Sequence, residues 1–323
     1  MFDLISIGDA TEDVFLELEE ASVHCSKNTG KCTICMEFAT KIPVKSCHKL
    51  IGGNAGNMAI GSRRLGLNSA FYVELGDDDQ GLKIFRSMKK DKVNTKYIYL
   101  RKGKETNYSV VLNKNAERTI LIYHVHRKYK LPQLEKAKWV YLTSMGEGCE
   151  VIYKSLISYL KKTKAKLGFN PGTHQLRSGL KTLLPLFKLC EAIILNVEEV
   201  QLLLKENSRD IKKLLKKLHA TGCKIAVITD GPAGCYVYDG KQFYYQDIYH
   251  VPIVERTGCG DAFSTGFITA LAYGKNINEA MKWGTVNSAG VIQKIGPQDG
   301  LLKKSELLSM LKNKKKFGKR RMI

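Results

Sequence analysis

Short apolar runs that end in glycine, threonine or asparagine, each followed by a stretch of helical periodicity, recur along most of this chain. Phe2 to Ile7 ends at Gly8, and Gly56 to Leu65 then carries apolar side chains at helical spacing. Ala70 to Leu75, Trp139 to Thr143, Ala165 to Phe169, Glu191 to Leu195 and Lys224 to Thr229 repeat the strand pattern, with helical segments such as Glu150 to Lys162 between them. Ala262 to Tyr273 and Asn278 to Gln293 close the pattern as helices. Runs this short and this apolar suit strands covered on both faces, as parallel strands under helices are. The alternation predicts an α/β fold with a mainly parallel central sheet and helices on both faces. A chain of 323 residues has ample material for such a core.

Two segments interrupt the rhythm. Val14 to Leu50 is polar and rich in cysteine, and Tyr97 to His126 reads as strands at Tyr97–Leu100, Tyr108–Leu112 and Thr119–His124, divided by a turn at Asn113–Glu117. Together they predict a small antiparallel sheet inserted into the core. The expected division is a core of residues 1–13, 51–96 and 127–311, a β-sheet lid of 14–50 and 97–126, and a basic tail at 312–323. Open α/β sheets bind ligands at the carboxyl ends of their strands, where such a lid would close.

The 52 Lys and Arg against 31 Asp and Glu leave a formal charge of +21. Most of the excess is scattered, as at Lys212, Lys213, Lys216 and Lys217 in one amphipathic pattern, which reads as a solvated face. The tail from Lys312 to Arg321 holds seven basic residues in ten and one aromatic, Phe317, and reads as a flexible accessory arm; nucleic acid is not the expected partner. No run of about 18 apolar residues occurs, so no membrane helix is expected. The amino terminus, MFDLISIGD, has no basic n-region, and a cytoplasmic protein is expected. Of nine cysteines, Cys25, Cys32, Cys35 and Cys47 crowd into 23 residues beside His24 and His48. They are either reduced loop thiols or the ligands of a structural zinc in the lid, since Cys32-Thr-Ile-Cys35 has metal-knuckle spacing.

Chemistry concentrates in Thr257-Gly258-Cys259-Gly260-Asp261, where small residues open an apolar helix. The backbone N–H groups of Gly258, Cys259 and Gly260 would converge at its positive end as an anion site. Asp261 in the first turn would take a proton from an attacking hydroxyl. A second glycine cluster, Ile51 to Asn57, lets backbone approach a ligand at Gly53 and offers the amides of Asn54 and Asn57 to a polyhydroxylated substrate. It is neither a Walker loop nor a dinucleotide fingerprint.

In combination these residues resemble the ribokinase/PfkB carbohydrate kinase family over nearly the whole chain. Gly258 to Asp261 is similar to that family's carboxyl-terminal signature, and Gly52 to Asn57 to its amino-terminal one. Gly8 with Asp13 resembles the early substrate-binding pattern, Asn196-Val197-Glu198-Glu199 the NxxE motif, and Thr229 to Gly234 the nucleotide-side turn. The resemblance implies a ribokinase-like fold with a β-sheet lid, ATP and Mg²⁺ as cofactors, and phosphorylation of a hydroxyl on a sugar or related small molecule. It also implies Asp261 as base, Gly258–Gly260 as anion hole, Asp13, Gly53, Asn54 and Asn57 as acceptor ligands, and Asn196 and Glu199 as Mg²⁺ organisers through water. Thr229, Gly231, Gly234 and Asn287 fall on the nucleotide side. Glu255-Arg256-Thr257 stands where the family has Asp-Thr-Thr, which leaves a monovalent-cation site open. Family members often pair through the lid, so a homodimer is expected.

The acceptor stays open between three classes. Asp13, Asn54 and Asn57 suit a neutral sugar; Arg101, Lys102 and Lys104 would hold a sugar phosphate; Phe15 and Tyr108 would flank the base of a nucleoside. A nucleic-acid-binding regulator on a kinase scaffold is the reading from another class, motivated by the tail and the cysteine knuckle.

Overall fold

The computed structural model describes residues 1–26, 32–114 and 117–318. In chain order its strands are β1 (Phe2–Ile7), β2 (Thr11–Leu18), β3 (Ser22–Cys25), β4 (Cys32–Cys35), β5 (Val44–Gly52), β6 (Ser69–Gly76), β7 (Ile98–Arg101), β8 (Asn107–Lys114), β9 (Glu117–Tyr123), β10 (Ala137–Leu142), β11 (Lys166–Phe169), β12 (Cys190–Asn196), β13 (Ile225–Thr229), β14 (Cys235–Tyr238) and β15 (Phe243–Gln246). Nine of them form one sheet in the order β15-β14-β13-β12-β11-β10-β1-β6-β7. Pairing is parallel from β7 through to β13, and antiparallel only where β14 and β15 are added.

The expected α/β architecture is present, and its cause is visible strand by strand. In β1, Ile5 and Ile7 point into one core layer and Leu4 into the other, all fully buried. The first layer is covered by helices that include Tyr153–Thr163, Leu180–Phe187 and Ile211–His219; the second by Cys259–Ala272 and Ile277–Val291. Each Leu, Ile or Phe removed from water in this way contributes about 1.5–3 kcal/mol.

The lid is a separate sheet of order β5-β2-β8-β9, with β2 and β8 parallel and the outer pairs antiparallel. Its boundaries differ from expectation at the start of both segments. Ile98–Arg101 is not a lid strand but the edge of the large sheet, paired in parallel with β6. Tyr97 decides this: it is buried edge-on against Phe2, ring centroids 6.2 Å apart, which ties its strand to the core. The second lid segment therefore begins at Asn107, and the first at Thr11, so that Asp13 sits on the lid sheet.

The cysteine knuckle is a third structure. β3 and β4 form an antiparallel hairpin that places Cys25 opposite Cys32, and the two are joined by a disulfide. Cys35 and Cys47 are separate exposed thiols. The strand register makes Cys25 and Cys32 each other's partner, so the four sulfurs are not gathered into a tetrahedral zinc site; residues 27–31 lie outside the described residues. The tail also departs from a flexible arm as far as Gly318. Phe317 packs edge-on against Tyr249 at 5.0 Å, His250 N–H donates to Lys316 O, and Gly318 N–H donates to Ile248 O. Residues 319–323 of the basic tail lie outside the described residues. No helix among the described residues is long and apolar enough to cross a membrane.

Candidate active site

The carboxyl ends of β1, β10, β11, β12 and β13 open into a cleft of about 310 Å³, roofed by the inner face of the lid. Strand alternation selects the roof residues. Asp13 on β2, Asn107 and Ser109 on β8, and Arg118, Ile120 and Ile122 on β9 all project to the same side, followed by His124.

At the floor, Gly258 caps the helix Cys259–Ala272 with φ 79°, a left-handed conformation that favours glycine; a Cβ there would also meet Pro297 at 2.3 Å. Beside it, the Cβ position of Gly260 faces open space. The Cys259 N–H is already spent on the Arg256 carbonyl at 3.3 Å, so the anion hole expected of three amides loses that one donor. The remaining first-turn amides have no partner within the helix itself, and its positive end faces the cleft.

Asp261 follows. Its Oδ2 accepts from Asn57 Nδ2 at 2.8 Å, and Asn57 Oδ1 accepts from Gln298 Nε2 at 3.0 Å. Asn57 thus bridges Gln298 and Asp261 while lining the cleft. Burial pushes the Asp261 carboxyl up to about 6; the Asn57 bond opposes this, the Asp13 charge adds to it and Arg118 opposes it. Asp13 is likewise pushed up to about 6 by burial, against hydrogen bonds from Ser109 and Thr11.

Asn196 and Glu199 lock each other. Asn196 Oδ1 accepts from Glu199 N–H at 2.8 Å, and Glu199 Oε2 accepts from Asn196 N–H at 2.8 Å, a reciprocal cap at the start of helix Val197–Leu204. Burial, aided by the Asp261 charge and opposed by the hydrogen bond from Asn196 N–H, lifts Glu199 to about 7. Both residues line the cleft. A buried carboxylate that wants a cation, with only one oxygen spent on the cap, fits a divalent ion held through water.

Asp13, Gly53, Asn54, Asn57, Asn196, Glu199, Thr229, Gly258, Gly260 and Asp261 thus share one cleft. Gly231 and Gly234 lie just beyond it, at φ 48° and 89°, where the chain turns from β13 into β14. Asn287 is not in the cleft: fully buried, it donates to Ala262 O at 2.8 Å and accepts from Leu302 N–H at 3.2 Å, fastening two helices. Of the residues offered for other acceptors, Arg101, on the edge strand β7, is bound to Glu74 on the neighbouring β6. Neither Lys102 nor Lys104 lines the cleft, nor do Phe15 and Tyr108.

Asp9 escaped the sequence reading. It accepts from Tyr129 Oη at 2.9 and 3.1 Å and from Gly146 N–H at 2.8 Å, and lies 3.8 Å from His124 Nδ1. Burial raises its carboxyl, against the His124 charge and these hydrogen bonds. Its position directly after the strand-ending Gly8 was the available signal. Arg118 and His124 offered none beyond the alternation of β9, because only pairing reveals which side of a strand faces a cleft.

A two-layered α/β core with its acids and helix amino termini gathered under a β-sheet lid defines the kinase class of this fold. The family described as pfkB family carbohydrate kinase matches residues 18–304, and the chain belongs to it. An uncharacterized sugar kinase of Archaeoglobus fulgidus is 24% identical over 250 residues, covering 75% of this chain and 98% of that protein. The structure of Arabidopsis thaliana ribokinase complexed with ribose and ATP superposes with a TM-score of 0.79 at 19% identity, over 96% of this chain and 99% of that one. The nucleoside kinase of Methanocaldococcus jannaschii gives a TM-score of 0.76 at 19% identity, over 97% and 98%. The chain is an ATP-dependent carbohydrate kinase acting on a sugar or related small molecule. That sets aside a non-catalytic regulator. Kinases of this family use ATP and Mg²⁺.

Proposed function

We propose that the acceptor is a neutral polyhydroxylated sugar, bound between Asp9 and Asp13 with Asn54, and phosphorylated on a hydroxyl presented to Asp261. The observation that carries this reading is the chain Gln298–Asn57–Asp261 at the amino end of a helix opening on the cleft. Asp261 takes the acceptor proton as the acceptor oxygen bonds to the γ-phosphorus and the bond from that phosphorus to the β–γ bridging oxygen breaks, releasing ADP. The amides of the first helical turn receive the transferring phosphoryl charge. Mg²⁺, when bound, neutralises phosphate charge, and Glu199 with Asn196 would hold it through water. Thr229, Gly231 and Gly234 border the nucleotide side.

A neutral acceptor is favoured because two buried acids crowd its end of the cleft, while the basic Arg118 stands nearer Asp261. The second reading, a nucleoside acceptor, is supported by the apolar strip of Ile120 and Ile122 beside the polar Asn107 and Ser109. ADP release across sugars, sugar phosphates and nucleosides, with Asp261→Asn as control, tests both. Stimulation by nucleosides alone would replace the first reading with the second.

Two further elements belong to the reading. Glu255 is buried, with Oε1 accepting from Thr257 N–H at 2.7 Å and Oε2 lacking a partner among the described residues, which suits a monovalent cation beside the anion site. The free edge of β9 exposes Ile120, Leu121, Ile122 and Tyr123, which suits pairing with the lid of a second copy.

A further inference from the structure

The loops that follow β10 and β11 meet a second time, outside the cleft. Cys149 and Glu150 open the short 3-10 helix Cys149–Ile152, and His174 lies in the helix Thr173–Arg177. One ligand atom from each, the Cys149 sulfur, a Glu150 carboxylate oxygen and a His174 ring nitrogen, lie within 4.8 Å of one another. His174 Nε2 is already 3.2 Å from Glu150 Oε1.

Thiolate, imidazole and carboxylate together are the donor set of borderline-soft divalent ions. With metal–ligand distances of about 2.0–2.3 Å, donors in a tetrahedron stand a little over ~3 Å apart, so closure asks only small side-chain rotations. An ordinary core cysteine behaves differently in this same protein. Cys190 and Cys223 bury their sulfurs against the backbone carbonyls of Leu186 and Leu218. The fully buried Cys149 instead meets the Tyr153 hydroxyl at 3.5 Å. That hydroxyl accepts from Gln175 Nε2 at 3.4 Å, and Gln175 Oε1 accepts from Gly172 N–H at 2.8 Å. A tyrosine whose lone pair is occupied by Gln175 has its proton free to donate to a thiolate, the outer support that metal ligands commonly have. Access exists from the other side, because the His174 and Glu150 side chains are 37% and 33% exposed. Water can reach the fourth position.

We propose that Cys149, Glu150 and His174 form a binding site for a divalent transition metal of the zinc class, with water as the fourth ligand. Binding exchanges the sulfur–hydrogen bond for a sulfur–metal bond, and the proton leaves to solvent; no electron is transferred. The ion ties together two loops that serve the acceptor end of the cleft, through Gly146 on one and Asn170 on the other.

Metal-stripped full-length protein carrying Cys35→Ser and Cys47→Ser, so that the exposed lid thiols cannot bind, would be titrated with Co²⁺ without thiol reductant. The expected result is one equivalent bound with a thiolate-to-cobalt charge-transfer band, displaced by Zn²⁺, lost in Cys149→Ser and weakened roughly tenfold or more in His174→Ala and Glu150→Gln. No such band in the parent, or a band that survives Cys149→Ser, overturns the site. Should Cys149→Ser not fold, the half-exposed His174→Ala decides: unchanged Co²⁺ affinity there is also fatal to it. Because the readout is metal binding, it stands apart from whichever acceptor the kinase assay selects.

Discussion

The floor of the cleft and its roof are built on different principles. On the floor, each acid is held by a fixed partner: Gln298 holds Asn57 and Asn57 holds Asp261 from distant parts of the sequence, while Asn196 and Glu199, three residues apart, cap one another. The roof is a four-stranded sheet whose own buried apolar cluster, among the described residues, is Leu18, Ala21 and Leu112, and whose β9 is exposed along its length. Rigid interlocking suits groups that must meet a transferring phosphoryl within fractions of an ångström. A thinly packed sheet tolerates side-chain change, and so suits the choice of acceptor. Floor substitutions should therefore change turnover, and roof substitutions should change which acceptor is used.

The largest expected effect is at Asp261. Asp261→Asn should lower kcat by about 10²–10⁴-fold with the KM for ATP little changed, as measured by ADP release. It should also stabilise the fold at neutral pH. A carboxyl whose folded pKa is raised to about 6 favours the folded state most when protonated, and that contribution disappears as pH rises through about 6. Removing the charge should thus raise the melting temperature at pH 7, the equivalent of roughly 2–3 kcal/mol. A variant that lost both activity and stability would show the acid to be structural.

Next is Asp13→Asn at the root of the roof, which should lower kcat/KM for the acceptor about 10–100-fold and leave the KM for ATP unchanged, by initial-rate kinetics. Equal losses toward both substrates would erase the division between floor and roof. Asn57→Ala sharpens the floor. Without the amide that favours the charged carboxylate, the acid limb of the kcat/KM profile, expected near pH 6, should move to higher pH. An unmoved limb would mean that another group sets it.

Ile120→Ala with Ile122→Ala should alter the relative kcat/KM of different acceptors severalfold with the best kcat preserved, read across a panel of sugars and nucleosides. The smallest effect belongs to the hairpin on the lid. Cys25→Ser should speed limited proteolysis between β3 and β4 while kinase activity stays within about twofold, because that disulfide closes a short local loop. Loss of activity on the same scale as Asp13→Asn would make the hairpin part of the roof.

The β1, β10, β11, β12 and β13 strands were legible because each is apolar on both faces and ends in turn chemistry, a local signal. Asp261 was legible for the same kind of reason: glycines and an acid at a helix start are adjacent in sequence. Asn57 was found but its contacts were not, since its partners Asp261 and Gln298 are 204 and 241 residues away. Asn287 was misplaced because a buried amide that bridges two helices has the same sequence context as one that faces a ligand. Tyr97 to Leu100 read as a lid strand because an edge strand of either sheet shows the same residues.

The amino-acid sequence alone thus determined the layered core, the existence of the lid and the glycine-rich helix terminus that opens on the cleft. All three follow from periodicity and from neighbours within a few residues. Tertiary structure decided which side of β9 looks inward, which amide binds Asp261, that Asp9 joins Asp13 in the cleft, and that Cys149 meets His174. Each of those depends on strand pairing or on packing between distant elements, and a one-residue change of register would reverse it.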